Sequence, residues 1–285
     1  MTSPSARDPG DPLDTLIPVD GPLAELHMDQ AHSARMYDYF LGGKTNYRPD
    51  REAAERVLDA VPSARTTARQ NRAFLHRAVG FLAEAGIDQF LDVGTGIPTS
   101  PNLHEIAQRI NPAARVAYVD NDPIVLTYSR ALLVGSPQGR TTYLEADLRQ
   151  PATILSSPEL AETLDLDRPV ALSLVAVLHF YPDDAKPAEL VKTLAGRLVS
   201  GSYLVISHGA SDLAPDVAER GTDAYRASGI PLRLRTRGEV EALLPSGLEI
   251  IEPGTVPLHH WRPDYDTERV RDSDVSGYAL IAYKP

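Results

Sequence analysis

Hydrophobic spacing along the chain changes character near residue 87. Residues 23–85 place apolar side chains at helical intervals in three stretches, LAELHMDQAHSARMYDYFL, DREAAERVLDAV and TARQNRAFLHRAVGFLAEA. The turn formers Gly42-Gly43-Lys44-Thr45-Asn46-Tyr47-Arg48-Pro49 divide the first two. From residue 88 onward short apolar runs alternate with helical patterns: QFLDV, RVAYVD, TTYLEAD, PVALSLVAV, SYLVISH, LEIIEP and YALIAYK. Strands separated by helices predict an α/β fold, with a mostly parallel sheet covered by helices on both faces. The run from Val170 to Leu178 is apolar on both alternating faces, so it is expected at the sheet centre, beside the first strand and beyond the topological switch. The last two runs are joined by GTVPLHHWRPDYDTERVRDSDVSG, which has no strong apolar period. The expected organisation is a tail over residues 1–22, an N-terminal helical cap over 23–86 and an α/β domain over 87–285.

Composition narrows the function classes. Residues 1–22 contain Pro4, Pro9, Gly10, Pro12, Pro18 and Pro22 among acids and serines, which predicts a mobile tail. They lack the basic start and apolar run of an export signal, and no apolar run reaches membrane length. A cytoplasmic location with no membrane partner is the expectation. A formal charge of −11 gives no overall attraction for polyanions, so no nucleic-acid partner is expected. Cysteine is absent, which excludes disulfides, thiolate nucleophiles and cysteine-held iron–sulfur clusters.

The candidate chemistry lies in residues 88–122, where the first apolar strand runs into Asp92-Val93-Gly94-Thr95-Gly96 and the second ends on Asp120-Asn121. A glycine turn between strand and helix lets a ligand approach the backbone, and a carboxylate at the tip of the next strand can grip a ribose diol. Such a site takes a nucleoside cofactor; the bland alternative is a connecting turn with Asp120 as a helix cap. The dinucleotide fingerprint asks for a third glycine, and here Thr99 stands in its place after Pro98, which weakens a nicotinamide or flavin reading. Asp147 ends the third strand, where a carboxylate and a following N–H can meet an adenine ring, or where Asp147 can serve as a cap.

Other segments carry two readings each. His179, in Val177-Leu178-His179-Phe180-Tyr181-Pro182-Asp183, is a candidate general base or a histidine that only bonds its loop. In Arg35-Met36-Tyr37-Asp38-Tyr39-Phe40-Leu41, followed by the turn through Lys44 to Tyr47, the rings of Tyr37, Tyr39 and Tyr47 and the charges of Arg35 and Lys44 suit an acceptor lid. A Gly-terminated helix with core aromatics is the equal alternative. His260 and Trp261 lie near enough to shape an acceptor site, but adjacent histidines on an extended chain diverge, so no metal site is expected. Arg233, Arg235 and Arg237 are expected on a solvated face, with Thr236 and Glu239 as a capping box.

The D-x-G-x-G loop with its acidic second strand end resembles the first two motifs of class I S-adenosylmethionine-dependent methyltransferases, and LHFYPD resembles the turn after their fourth strand. Across the chain, RMYDYFLGGKTNY, QNRAFLHRAV, FLDVGTGIPT, NLHEIAQ, VAYVDNDPIVLTYSRALL, ADLRQP, RPVALSLVAVLHF and VPLHHWRPD together resemble the S-adenosyl methyltransferase family with a YDYLLGGKDNF-type amino-terminal signature. Thr45 stands where that signature usually has an aspartate. The resemblance implies a class I, Rossmann-like, seven-stranded sheet whose final strand enters antiparallel. It implies S-adenosyl-L-methionine as cofactor and S-adenosyl-L-homocysteine as product. Asp92, Gly94, Thr95 and Gly96 would form the cofactor loop, Asp120 and Asn121 the ribose contact, and Asp147 and Leu148 the adenine contact. The expected activity is polar methyl transfer to a small-molecule acceptor, with a non-catalytic cofactor-binding sensor as the alternative.

Overall fold

The computed structural model describes residues 28–132, 135–264 and 270–285. The expected tail and the first residues of the expected cap lie outside that set. Helix α1 covers Ser33–Leu41, which is shorter than the predicted stretch from residue 23. It begins at Ser33 because His32 is extended and turns its imidazole back onto the Ala34 N–H. It ends at Gly42, whose left-handed φ of 83° lets its N–H reach back to Asp38 and Tyr39. Helix α2, Arg48–Ala60, starts after Tyr47 with Pro49 in its first turn, and α3 is Ala64–Glu84.

Eight strands are formed among the described residues: β1 Gln89–Val93, β2 Arg115–Asp120, β3 Arg140–Glu145, β4 Ala171–Val175, β5 Tyr203–Gly209, β6 Glu249–Ile250, β7 Val256–Pro257 and β8 Gly277–Tyr283. Their order is β3-β2-β1-β4-β5-β8-β6, with β7 also on β8. The first five are parallel, and β8 enters antiparallel against β5. The extra strand over the expected seven is the two-residue β7, too short to register as an apolar run. β4 lies between β1 and β5, so the chain reverses its direction of sheet growth between β1 and β4.

Alternation explains why the central strands read as continuous apolar runs. Leu91, Val93, Leu172, Leu174, Leu204 and Ile206 face one layer, which holds Ile154 of the helix Pro151–Leu155, Leu160 of the helix Pro158–Thr163 and Val191 and Leu194 of the helix Pro187–Arg197. Phe90, Ala171 and Val205 face the other, packed on Phe74 and Leu82 of α3 and on Leu103 of a helix at Leu103–Ile110. Helices α1 and α2 form a smaller cluster through Met36, Phe40, Ala54 and Val57, against the helix Pro215–Arg226. That cluster sits over the carboxyl ends of the strands and closes a cavity there.

Candidate functional site

The cavity has a volume of about 720 Å³ and is walled by strand ends (Val93, Asp120, Ala146, Val175 and Gly209) and by residues of α1–α3. Its floor on the β1–β2 side is the glycine loop. Gly94 and Thr95 donate their N–H groups to Val119 O at 2.8 and 3.2 Å, which folds the loop over the end of β2. Gly94 holds φ 80°, and a Cβ there would lie 2.5 Å from Val177 Cγ2, so only glycine fits. Gly96 holds φ 68° with nothing within 4 Å of where a Cβ would stand, because that space belongs to the cavity.

Asp120 ties this loop to the turn after β2. Its Oδ2 accepts from Gly96 N–H and its Oδ1 from Asp122 N–H, at 2.8 and 2.9 Å. Burial raises the Asp120 carboxyl above the usual range, against the pull of those two bonds. Asp92, at the end of β1, is pushed up to about 7 by burial, with Arg72 opposing and Asp120 adding to the rise. Arg72 donates to Thr99 O and Pro101 O and, like both aspartates and Asn121, lines the cavity.

Asp147 is placed differently from its neighbours. Ala146, Leu148 and Arg149 line the cavity, whereas the Asp147 carboxylate accepts from Arg149 N–H at 2.8 Å, from Arg149 Nε at 2.9 Å and from Asn121 Nδ2 at 3.4 Å. Burial pushes its pKa up, but the Arg149 bonds and charge outweigh that and hold it below the ordinary range.

The N-terminal signature resolves into a clamp and a wall. Of the expected lid residues, Tyr37 lines the cavity. Arg35 is buried, 3.3 Å from Asp50 and 3.7 Å from Asp122 through Nε, and His32 Nδ1 lies 3.1 Å from Asp122. These contacts join the cap to the turn that carries Asp120. Tyr47 is buried beneath Arg35 and beside Ile97, Ile124 and Val125, outside the cavity lining. Tyr39 donates to Glu55 on the surface, and Lys44 is exposed. Asp38 explains the second glycine: its Oδ2 accepts from Thr45 N–H at 2.9 Å and from Asn46 Nδ2 at 2.8 Å, and a Cβ on Gly43 would fall 2.0 Å from its Oδ1.

His260 and Trp261 do not line the cavity. Trp261 is fully buried edge-on to Phe74 and Phe81, on the far side of α3, where a large apolar ring gains more from the core than from a rim. His259 and His260 sit on a 3₁₀ turn instead of an extended chain, so they do not diverge. Both Nε2 atoms approach Asp272 Oδ1, at 2.9 and 3.0 Å.

His179 lines the cavity on the β4–β5 side. Its Nδ1 accepts from Gly209 N–H at 3.3 Å, and burial first, then His208 and Arg235, hold its pKa well below the ordinary histidine range. Arg235 corrects the expectation of a solvated arginine face. It is 3% exposed, and it donates to His208 Nε2 at 3.0 Å, to Tyr181 O at 3.2 Å and to Asp183 Oδ1 at 2.7 Å, so it buckles the loop after β4 to β5. Period-two alternation gave no sign of this, since the segment is not a strand; only a bridge joins Arg235 to Ala210. The Thr236–Glu239 capping box is present beside it. Asn71, Arg72 and His208 also line the cavity; the first two lie in the string QNRAFLHRAV, but none of the three was singled out as a site residue.

A family model described as S-adenosyl methyltransferase matches residues 21–285. Among solved structures, a DUF574 family protein from Streptomyces avermitilis MA-4680 is 50% identical, with a TM-score of 0.89, over 91% of this chain and 100% of that one. A protein of Thermobifida fusca YX, solved as a candidate methyltransferase, is 38% identical, with a TM-score of 0.83, over 92% of this chain and 98% of that one. The plantazolicin methyltransferase BpumL, 11% identical over 88% of this chain and 96% of that one, shares the fold at a TM-score of 0.52. No curated protein matches the chain.

Proposed function

We propose, for a chain that belongs to the S-adenosyl methyltransferase family, a division of this cavity into a cofactor half over β1–β3 and a small-molecule acceptor half over β4–β5. The enzyme is an S-adenosylmethionine-dependent methyltransferase. No helix among the described residues is long and apolar enough to cross a membrane.

The residues of the first half fit a cationic nucleoside. The open space at Gly96 admits a ligand against the backbone, and Asp92 and Asp120 place two buried carboxyls at the cavity wall whose ionised form a bound cation would stabilise. Asp120 and Asn121 would hold the ribose, and Leu148 with the backbone around Asp147 would hold the adenine. Tyr37 and the other N-terminal helix residues would roof the acceptor. When bound, the cofactor supplies a methyl group already activated on a sulfonium, and its product is S-adenosylhomocysteine. The chain's task is then to place the acceptor and exclude water.

The observation that carries this reading is the joint placement of the glycine loop, Asp120 and the N-terminal helices around one cavity. Calorimetry with S-adenosylhomocysteine tests it. Asp120→Ala removes a carboxylate that accepts two backbone N–H bonds and would accept the ribose, so affinity should fall about tenfold to a hundredfold, or about 1.5–3 kcal/mol. Unchanged affinity in a folded variant would refute the assignment.

A further inference from the structure

The acceptor half of the cavity contains polar atoms that are mostly engaged with the protein. The Tyr37 hydroxyl donates to Ala68 O at 3.0 Å and accepts from Asn71 Nδ2 at 2.8 Å, and Asn71 Oδ1 accepts from the Ser207 hydroxyl. His208 donates from Nδ1 to Gly209 O at 2.8 Å and accepts the Arg235 guanidinium at Nε2. Between these groups the wall carries the apolar side chains of Phe40, Val57, Val61, Ile230 and Leu234 together with the phenol of Tyr225, while the Asp184 carboxylate lines it from an exposed position. Deep among the apolar side chains a charged acceptor would be stripped of water, with no buried counter-charge beside them among the described residues of this half.

His179 also faces this space, and its hydrogen bonding fixes what it can do. Gly209 N–H points at Nδ1, so that nitrogen carries the lone pair and the neutral ring carries its proton on Nε2. To act as a base toward the cavity, the ring would need its lone pair on Nε2 and its proton on Nδ1, set against the Gly209 N–H. The groups that face the ring are His208, 5.5 Å away between centroids, Phe180 at 4.4 Å, and Arg235 beyond His208; among the described residues no carboxylate bonds to it. Asp183 is already taken by Arg235 and Arg233.

We infer that the methyl acceptor is an apolar molecule with one hydrogen-bond-accepting oxygen or nitrogen, which His179 anchors by donating its Nε2–H, and that His179 takes no proton from it. This rests on the division of the cavity proposed above. Any proton the acceptor loses on methylation passes to water.

The test uses the full chain saturated with S-adenosylhomocysteine, whose own binding is measured first. Failure of that binding overturns the cofactor reading; the outcomes below bear on the inference alone. By calorimetry, 2-naphthol should bind at least about tenfold more tightly than 2-naphthylmethylammonium, an amine cation of similar shape. His179→Phe should keep its S-adenosylhomocysteine affinity and lose about threefold to tenfold for 2-naphthol. Nitrogen-15 NMR of the wild type should show the His179 proton on Nε2 and no titration between about pH 6 and 8. Equal or tighter binding of the cation, no binding of 2-naphthol, an unaffected His179→Phe variant, a proton on Nδ1, or a midpoint in that pH range would each overturn the inference.

Discussion

Replacing Asp92 by asparagine should make the ligand-free protein more stable at alkaline pH. The carboxyl lies at the end of β1 between Tyr118 of β2 and Ser173 of β4, 6% exposed, and burial pushes its pKa from 3.8 up to about 7. Between those two pH values the folded chain holds a proton that the unfolded chain has lost, so stability falls as pH rises through the window. At about 1.4 kcal/mol per pH unit, the penalty reaches roughly 4 kcal/mol at pH 8, of which about 2–3 kcal/mol accrues between pH 5 and 8. Urea unfolding followed by the fluorescence of Trp261, the single tryptophan, measures it. His76 and His208, held down to about 4 by burial, give the opposite slope below pH 6.5, and taking the difference between variant and wild type cancels them. That difference should grow by about 2–3 kcal/mol in the variant's favour from pH 5 to 8. Saturating S-adenosylmethionine, a cation, should flatten the wild-type slope by stabilising the ionised carboxylate. A variant-minus-wild-type difference that stays flat with pH refutes the reasoning.

Two comparisons separate the loop from the core. Gly94→Ala meets both a left-handed backbone and Val177 at 2.5 Å, whereas Gly96→Ala meets only the backbone term. The first should cost about 2–5 kcal/mol and the second about 1–2, read as unequal falls in melting temperature; equal falls would contradict the packing at Val177. Trp261→Ala should cost about 3–5 kcal/mol in unfolding experiments while leaving S-adenosylhomocysteine affinity unchanged in the folded protein, because the ring lies in the core beyond α3. A weakened ligand would bring Trp261 back to the acceptor site.

Much of the architecture was present in local patterns. Seven of the eight strands stood out as apolar runs; β1, β2, β4, β5 and β8 did so because a strand buried on both faces needs little but apolar side chains, whereas β3 is half-buried and β6 exposed. The glycine loop and Asp120 were readable for a related reason: a backbone at positive φ demands glycine, and a carboxylate two dozen residues on has a narrow set of uses. The two-residue β7 left no pattern, and α1 began later than its periodicity suggested because the His32 imidazole bonds the Ala34 N–H.

The amino-acid order by itself determined most strands of the sheet, the family signature and the positive-φ glycines of the loop after β1, since each depends on residues close in sequence. Tertiary packing alone decided the rest. Arg235 became a buried strut because its guanidinium found His208, Tyr181 and Asp183 together, groups that lie 27 to 54 residues away along the chain. Trp261 went to the core and Tyr37 to the cavity wall for the same cause: which side of a helix or loop is buried depends on what the remainder of the chain brings against it. His179 drew its tautomer from a backbone N–H thirty residues on, a donor that no local pattern announces.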